Sequence, residues 1–274
     1  MNRENIALQV YSVRGDLEKD FYGTLRAVKE MGYAGVEFAG LYGNDPEQVR
    51  SFCEEIGLTP LSAHVSIQDF MADMDGVVDT YAKVGVQYVA IPWLGEEMRP
   101  GREGYAAFKE NVKLISAKLK EKGIILGYHN HDFEFVTVSN EYGLDFLYEA
   151  IEPEFLKTEL DMCWVKYAGV NPAEYVRKYA GRCPVVHLKD YVGRKGEKSP
   201  YALIGDAKSE ENADTTAFEF RPVGYGCQNV PEVVESAIAC GAKWFVVEQD
   251  QSPTRPALEA AKMSIDTLKK IGLK

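Results

Sequence analysis

Short apolar runs alternate with longer amphipathic ones along the whole chain. Ile6 to Val10 (IALQV) is apolar almost throughout, the pattern of a strand buried on both faces. Leu17, Phe21, Leu25, Val28 and Met31 then recur at helical spacing, which predicts a helix from Leu17 to Met31. Gly32 follows at the position where a left-handed residue ends a helix. The alternation repeats. Further strand-like runs are Gly35 to Phe38, Thr59 to Val65, Tyr88 to Ile91, Ile124 to His129, Lys157 to Leu160, Val185 to Leu188 and Phe245 to Glu248. Between them lie helical patterns such as Pro46 to Ile56 behind Asn44 and Asp45, Tyr105 to Lys122, and Pro231 to Cys240 behind Asn229. Pro256 to Ile271 closes the chain with another.

Eight strands, each followed by a helix, predict a parallel sheet closed into a single α/β (β/α)₈ TIM barrel spanning 1–274. An open doubly wound sheet is the structural rival, but the first strand runs into YSVRGD. There is no G-x-G-x-x-G for a dinucleotide and no G-x-x-x-x-G-K-[ST] for a P-loop. One connection is unusually long: residues 190–228, between strand seven and its helix, rich in Gly, Lys, Glu and Ser. Strand-to-helix loops border the catalytic face of a barrel, so this loop is read as an active-site lid.

Charge narrows the class. Asp and Glu outnumber Lys and Arg by 42 to 31, giving a net charge of −11 over 274 residues. That argues against a nucleic-acid binder, which needs a positive face, and against attraction to an anionic membrane. No apolar run approaches the roughly 20 residues of a membrane span. The opening MNRENIALQVYSVRGD lacks a secretory pattern, so a cytoplasmic location is expected. The cysteines, Cys53, Cys163, Cys183, Cys227 and Cys240, are scattered, and read as incidental thiols in a reducing compartment.

Reacting groups in such a barrel sit at the C-terminal strand ends. Those ends offer Gln9 and Arg14, Glu37, His64, the run YHNHDFEF with His129, His131, Asp132 and Glu134, then Glu159 and Asp161, then His187, Lys189 and Asp190, and finally Glu248 and Asp250. All four histidines of the chain fall there. Carboxylates crowded on one rim repel unless a cation or protons intervene. A divalent metal resolves this, and a mostly oxygen donor set suits Mn²⁺, with Mg²⁺, Co²⁺ or Zn²⁺ as alternatives. Asp161 could instead cap a helix before Val165, and His187 could be a satisfied core histidine. Glu248 follows WFVV, where a carboxylate is costly unless paired or bound to metal. Trp93, in IPWL, offers a flat wall for a sugar face.

The motifs YHNHDFEF, ELDMCW, VHLKD and VEQD resemble those of the sugar phosphate isomerase/epimerase superfamily with the xylose isomerase-like barrel, from LQVYSVR to the last helix. The resemblance implies a metal-dependent isomerase or epimerase acting on a small sugar or sugar-like hydroxy-ketone. A dehydratase or lyase is the alternative on the same scaffold. It implies one metal on Glu134, Asp161, His187 and Glu248. The proton would move through an enediolate, carried by Glu134 and Glu248, with Lys189 binding an oxyanion or orienting a carboxylate. His64, His131, Gln9, Trp93 and Trp164 would contact substrate. Barrels of this kind often form homodimers, although nothing in this sequence fixes that.

Two features depart from the superfamily's pattern. Many epimerases carry D-x-x-H on strand six, where this chain has Trp164. Strand alternation also sets His129 and His131 on one parity and Tyr128, Asn130, Asp132 and Glu134 on the other. With the imidazoles inward, Glu134 reaches the metal only if the backbone leaves the strand first, and otherwise His129 or His131 takes its place. A DNA-repair endonuclease relative would need more histidines and a basic groove. An amidohydrolase would carry its H-x-H on the first strand, whereas His129-Asn130-His131 lies on the fifth. A non-catalytic sugar-binding barrel would have no need of the carboxylates.

Overall fold

The computed structural model describes residues 5–195 and 218–273. In chain order the strands are β1 (Asn5–Gln9), β2 (Gly35–Phe38), β3 (Thr59–His64), β4 (Tyr88–Ile91), β5 (Ile125–His129), the short hairpin β6 (Thr137–Val138) and β7 (Glu141–Tyr142), β8 (Lys157–Asp161), β9 (Val185–Leu188), the ribbon β10 (Asp190–Gly193) and β11 (Phe218–Arg221), and β12 (Trp244–Val247). Eight of them close into a parallel barrel in the order β1-β12-β9-β8-β5-β4-β3-β2. This is the (β/α)₈ barrel that the alternation predicts, and strand limits move by only a residue or so.

Alternation within the strands builds two layers. Ile6, Leu8, Val186, Leu188, Phe245 and Val247 face the helices in the large outer core. Ala7, Leu61, Tyr88, Val185, Trp244 and Val246 pack together inside the barrel. Trp244 fits there because its neighbour is Gly35: a Cβ on Gly35 would lie 3.0 Å from the indole and 2.8 Å from the Thr59 carbonyl. One step further along each strand the same inward parity brings up Gln9, His187 and Glu248 in place of apolar side chains. The barrel floor is therefore apolar and its C-terminal mouth polar.

The first predicted helix is broken. Asp20 accepts a hydrogen bond from the Gly23 N–H, so Arg14–Leu17 and Phe21–Met31 are separate helices. Gly32 ends the second at φ 100°, as expected from sequence. Asp45 caps Pro46–Ile56. Among the described residues no helix is long and apolar enough to cross a membrane.

The described ends of the long connection after β9 form a two-stranded ribbon. Asp190–Gly193 pairs antiparallel with Phe218–Arg221. The ribbon packs Tyr191, Phe218 and Phe220 against Cys163, Trp164 and Tyr167. Residues 196–217, the middle of the predicted lid, lie outside the described residues. The buried Asp190 carboxylate accepts four backbone N–H groups, from Tyr191, Gly224, Gly226 and Gln228, at 2.9–3.0 Å. Bonds to a charged acceptor contribute more than neutral ones, and buried donors left unpaired cost free energy. Asp190→Ala is expected to destabilise the protein by about 2–3 kcal/mol. Calorimetry should show the fall, and hydrogen exchange should speed at the Gly224, Gly226 and Gln228 amides.

Candidate active site

His187, at the centre of the mouth, is fully buried and faces carboxylates on both edges. Its Nε2 lies 2.8 Å from Glu37 and 3.2 Å from Glu159, and its Nδ1 lies 3.0 Å from Glu248. On the Nε2 side, Glu37 is held by the Gln9 amide at 2.8 Å and the Ser62 hydroxyl at 2.5 Å. His64 bridges the same two acids, 2.8 Å from Glu159 and 3.0 Å from Glu37. On the Nδ1 side stand His129 and Asp161, with His129 Nε2 3.3 Å from Asp161 Oδ2 and 3.6 Å from Glu248 Oε2. Lys189 Nζ adjoins this second group, 2.9 Å from Glu248, 2.9 Å from Asp250 and 3.3 Å from Asp161.

These groups set each other's charge. Burial opposes ionisation of Glu37 and Glu248, but the facing histidines, and Lys189 for Glu248, outweigh it and hold both acids well below the usual carboxylate range. Burial likewise opposes charge on His64, yet Glu37 and Glu159 lift it to about 10. His187 rises well above the ordinary imidazole range for the same reason. Burial pushes Asp250 up to about 6 against the pull of Lys189. His131 moves the other way. Burial, with the nearby His129 and Lys189, drives it well below the ordinary value, so it is a neutral imidazole.

His129, Asp161, His187 and Glu248 each offer one ligand atom, all within 4.8 Å of one another. Both ring nitrogens of His129 and Oδ2 of Asp161 are buried without an aligned hydrogen-bond partner. Buried polar atoms rarely remain so, and His129 Nε2 and Asp161 Oδ2 face each other at 3.3 Å. Two imidazoles and two carboxylates fit a divalent metal. His187 would present Nδ1 while Nε2–H donates to Glu37 or Glu159, the outer-shell arrangement that fixes a ligating histidine's tautomer.

The residues named from sequence fall into three groups. His64, His131, Trp93, Lys189 and Glu248 line a cleft of about 1100 Å³ together with His129 and Asp250. Gln9 does not: it is fully buried and orients Glu37, its Oε1 accepting the Tyr11 N–H at 3.0 Å. Trp164 is also fully buried, behind His131 and stacked on Phe218, so it supports the cleft from outside rather than walling it. Asp161 caps a helix with one oxygen and turns the other to the cluster. Oδ1 caps the helix Met162–Tyr167 through the Cys163 and Trp164 N–H groups, and Oδ2 faces His129.

Glu134 is not brought into the four-residue group, and His129 stands in the position expected for it. Inward parity carries His129 into the barrel and sends Tyr128 outward. The backbone then turns through Phe133–Phe135, and Glu134 folds back to accept the Tyr128 hydroxyl at 2.5 Å and the His131 N–H at 2.8 Å. Three supporting residues were not anticipated: Ser62, Asn130 and Arg99. Asn130 accepts the Asp161 N–H at 3.0 Å, and the Arg99 guanidinium lies 3.5 Å over the Phe133 ring. Only Asn130 had a sequence signal, its opposite parity to the two histidines.

The chain matches the family model described as the xylose isomerase-like TIM barrel over residues 25–271. It belongs to that family. Similar solved structures include a sugar phosphate isomerase/epimerase from Parabacteroides distasonis, 23% identical, covering 99% of this chain and 100% of its own, at TM-score 0.78. A probable 3-DHS dehydratase from Bacillus anthracis matches at 12% identity, 97% and 98% coverage and TM-score 0.75. The IOLI protein, described with a bound zinc atom, matches at 13% identity, 97% coverage of each chain and TM-score 0.71. No curated protein matches the chain.

Glu134 carries a pH prediction. Burial raises its carboxyl from 4.5 to about 7, partly offset by Tyr128 and His131. A folded value above the unfolded one gives stability that is complete below about pH 4.5 and lost as pH rises through 7. Glu134→Gln should remove that slope, on the order of 3 kcal/mol across the window. Denaturant titrations of both proteins from pH 4 to 8 would show it, and parallel curves would refute the assignment.

Proposed function

We propose that this protein is a metal-dependent isomerase or epimerase that moves a proton beside the carbonyl of a sugar or sugar-like hydroxy-ketone. The observation carrying this reading is the convergence of His129, Asp161, His187 and Glu248 at the base of a large polar cleft, beside Lys189. Those four residues would hold one divalent ion. Its two-imidazole, two-carboxylate set admits Zn²⁺ as readily as Mn²⁺ or Co²⁺. A metal there supplies positive charge against the oxyanion that develops when the carbon next to a carbonyl loses its proton.

The remaining work falls to the chain's own groups. Lys189 Nζ, held charged by Asp250, Glu248 and Asp161, is placed to bind a developing oxyanion, and the neighbouring Glu248 carboxylate would take the substrate proton and return it. His64, locked by Glu37 and Glu159, and the neutral His131 face the cleft, where they orient hydroxyl groups. Trp93 packs against the sugar face. Because Glu134 is turned onto Tyr128, a pair of glutamates on opposite faces of the substrate lacks one member. Transfer between neighbouring carbons by Glu248 on one face suits this geometry better than inversion at one carbon. The same feature favours the second reading, a dehydratase or lyase, in which loss of the proton expels a β-substituent.

Two outcomes are expected. Elemental analysis should find one divalent metal per chain, lost in His129→Ala and Glu248→Gln and retained in Glu134→Gln. Retention of metal in all three variants would sink the proposed site. The metal-loaded protein incubated with hydroxy-ketones in D₂O should incorporate solvent deuterium at carbon. Lys189→Met should slow that exchange about 10²- to 10⁴-fold with metal content unchanged. Deuterium in recovered or isomerised sugar supports the isomerase, and loss of water or another β-substituent supports the lyase.

A further inference from the structure

Isomerising a hydroxy-ketone moves two protons. One leaves the hydroxyl-bearing carbon and a proton ends on the former carbonyl carbon. The other leaves the hydroxyl oxygen and a proton ends on the former carbonyl oxygen. Glu248, on one face, serves the first transfer. Lys189 stays charged among Glu248, Asp250 and Asp161, so the second transfer needs its own carrier. We propose that His64 is that carrier, a second catalytic residue whose Nδ1 relays the hydroxyl proton between the two substrate oxygens. The proposal rests on the proton-transfer reading above and adds a residue and a step to it.

His64 ends β3 and lines the same cleft as Glu248 and Lys189. Its ring centre lies 4.9 Å from that of His129 and 5.3 Å from that of His187, so it borders the candidate ligands. Its Nε2 is occupied by Glu159 at 2.8 Å and Glu37 at 3.0 Å, which leaves Nδ1 as the polar edge toward the cleft. Glu37 is itself pinned. The Gln9 amide donates to Oε1 and the Ser62 hydroxyl to Oε2. The imidazole is therefore held from behind by groups that are themselves fixed.

Two acids against one imidazole suit a relay better than a simple hydroxyl contact. Orienting a hydroxyl needs only a fixed N–H, which a neutral amide supplies. Buried carboxylates are costly to keep. Behind an imidazole they fix its tautomer and balance the ring's charge while its outer nitrogen gives up and regains a proton. The relay closes on itself. Glu248 takes the proton from the hydroxyl-bearing carbon, the freed electron pair forms the carbon–carbon double bond, and the carbonyl oxygen becomes an oxyanion. His64 Nδ1–H protonates that oxygen, then takes the proton of the neighbouring hydroxyl. The electrons left on that second oxygen form the new carbonyl. The double-bond pair then takes the proton back from Glu248 at the former carbonyl carbon. Both residues end as they began, with no outside oxidant or reductant.

The test incubates dihydroxyacetone, ribulose and fructose with the metal-loaded protein in D₂O. NMR reads deuterium in the recovered ketose beside the aldose formed. In His64→Gln, aldose formation should fall about 10²- to 10⁴-fold, while deuterium uptake into the ketose falls less than about tenfold. In Lys189→Met the two should fall together. In His64→Ala, added imidazole should restore aldose formation, a response that a merely structural side chain would not give. All variants are compared at equal metal content. Equal loss of both signals in His64→Gln, unchanged aldose formation there, or no response of His64→Ala to imidazole overturns the proposal. So does exchange without aldose in the unsubstituted protein. Absence of exchange with all three ketones in that protein is the separate failure of the proton-transfer reading.

Discussion

Five buried carboxylates, Glu37, Glu159, Asp161, Glu248 and Asp250, share the mouth of one barrel, and their mutual repulsion is the constraint the rest of the site answers. In a low-dielectric interior such charges are tolerable only with opposite charge between them. His187 lies at the middle of that arrangement because it has two edges. One nitrogen faces Glu37 and Glu159, and the other faces Glu248. Lys189 and His64 supply positive charge on either side. The barrel makes this possible by delivering polar residues at the C-terminal ends of its strands, above an apolar floor that includes Trp244.

Side chains that look redundant in this network divide its labour. Asp161 uses one oxygen to start the helix Met162–Tyr167 and turns the other to His129 and Lys189, so helix position and site position are coupled. Gln9 and Ser62 fix Glu37, which in turn orients His187. Trp164 backs His131 and anchors the β10–β11 ribbon through Phe218. The chain after β9 is thereby tied to the same ring that shapes the cleft.

Membership of the xylose isomerase-like family gives the scaffold and not the reaction. Similar barrels include proteins described as an isomerase/epimerase and as a dehydratase, at identities too low to carry more than the fold. The site itself adds the group of His129, Asp161, His187 and Glu248, a lysine held among three carboxylates, and a cleft lined partly by acidic residues.

The eight βα units, their order and most strand limits were legible in the sequence, because hydrophobic period and cap residues are local properties. So was the set of strand ends that bear the chemistry, since all four histidines fall there. Parity even stated the condition on which Glu134 would lie apart from His129. It could not choose between a strand that ends at His129 and one that continues, because that depends on Tyr128 and the His131 N–H offering Glu134 partners elsewhere. Nor could it place Trp164 behind the cleft, a position set by Phe218 more than 50 residues away. Local pattern determined which elements form and which residues reach the mouth. Only closure of the barrel decided which of those residues meet, because the pairings that neutralise buried charge run between strands far apart in the chain.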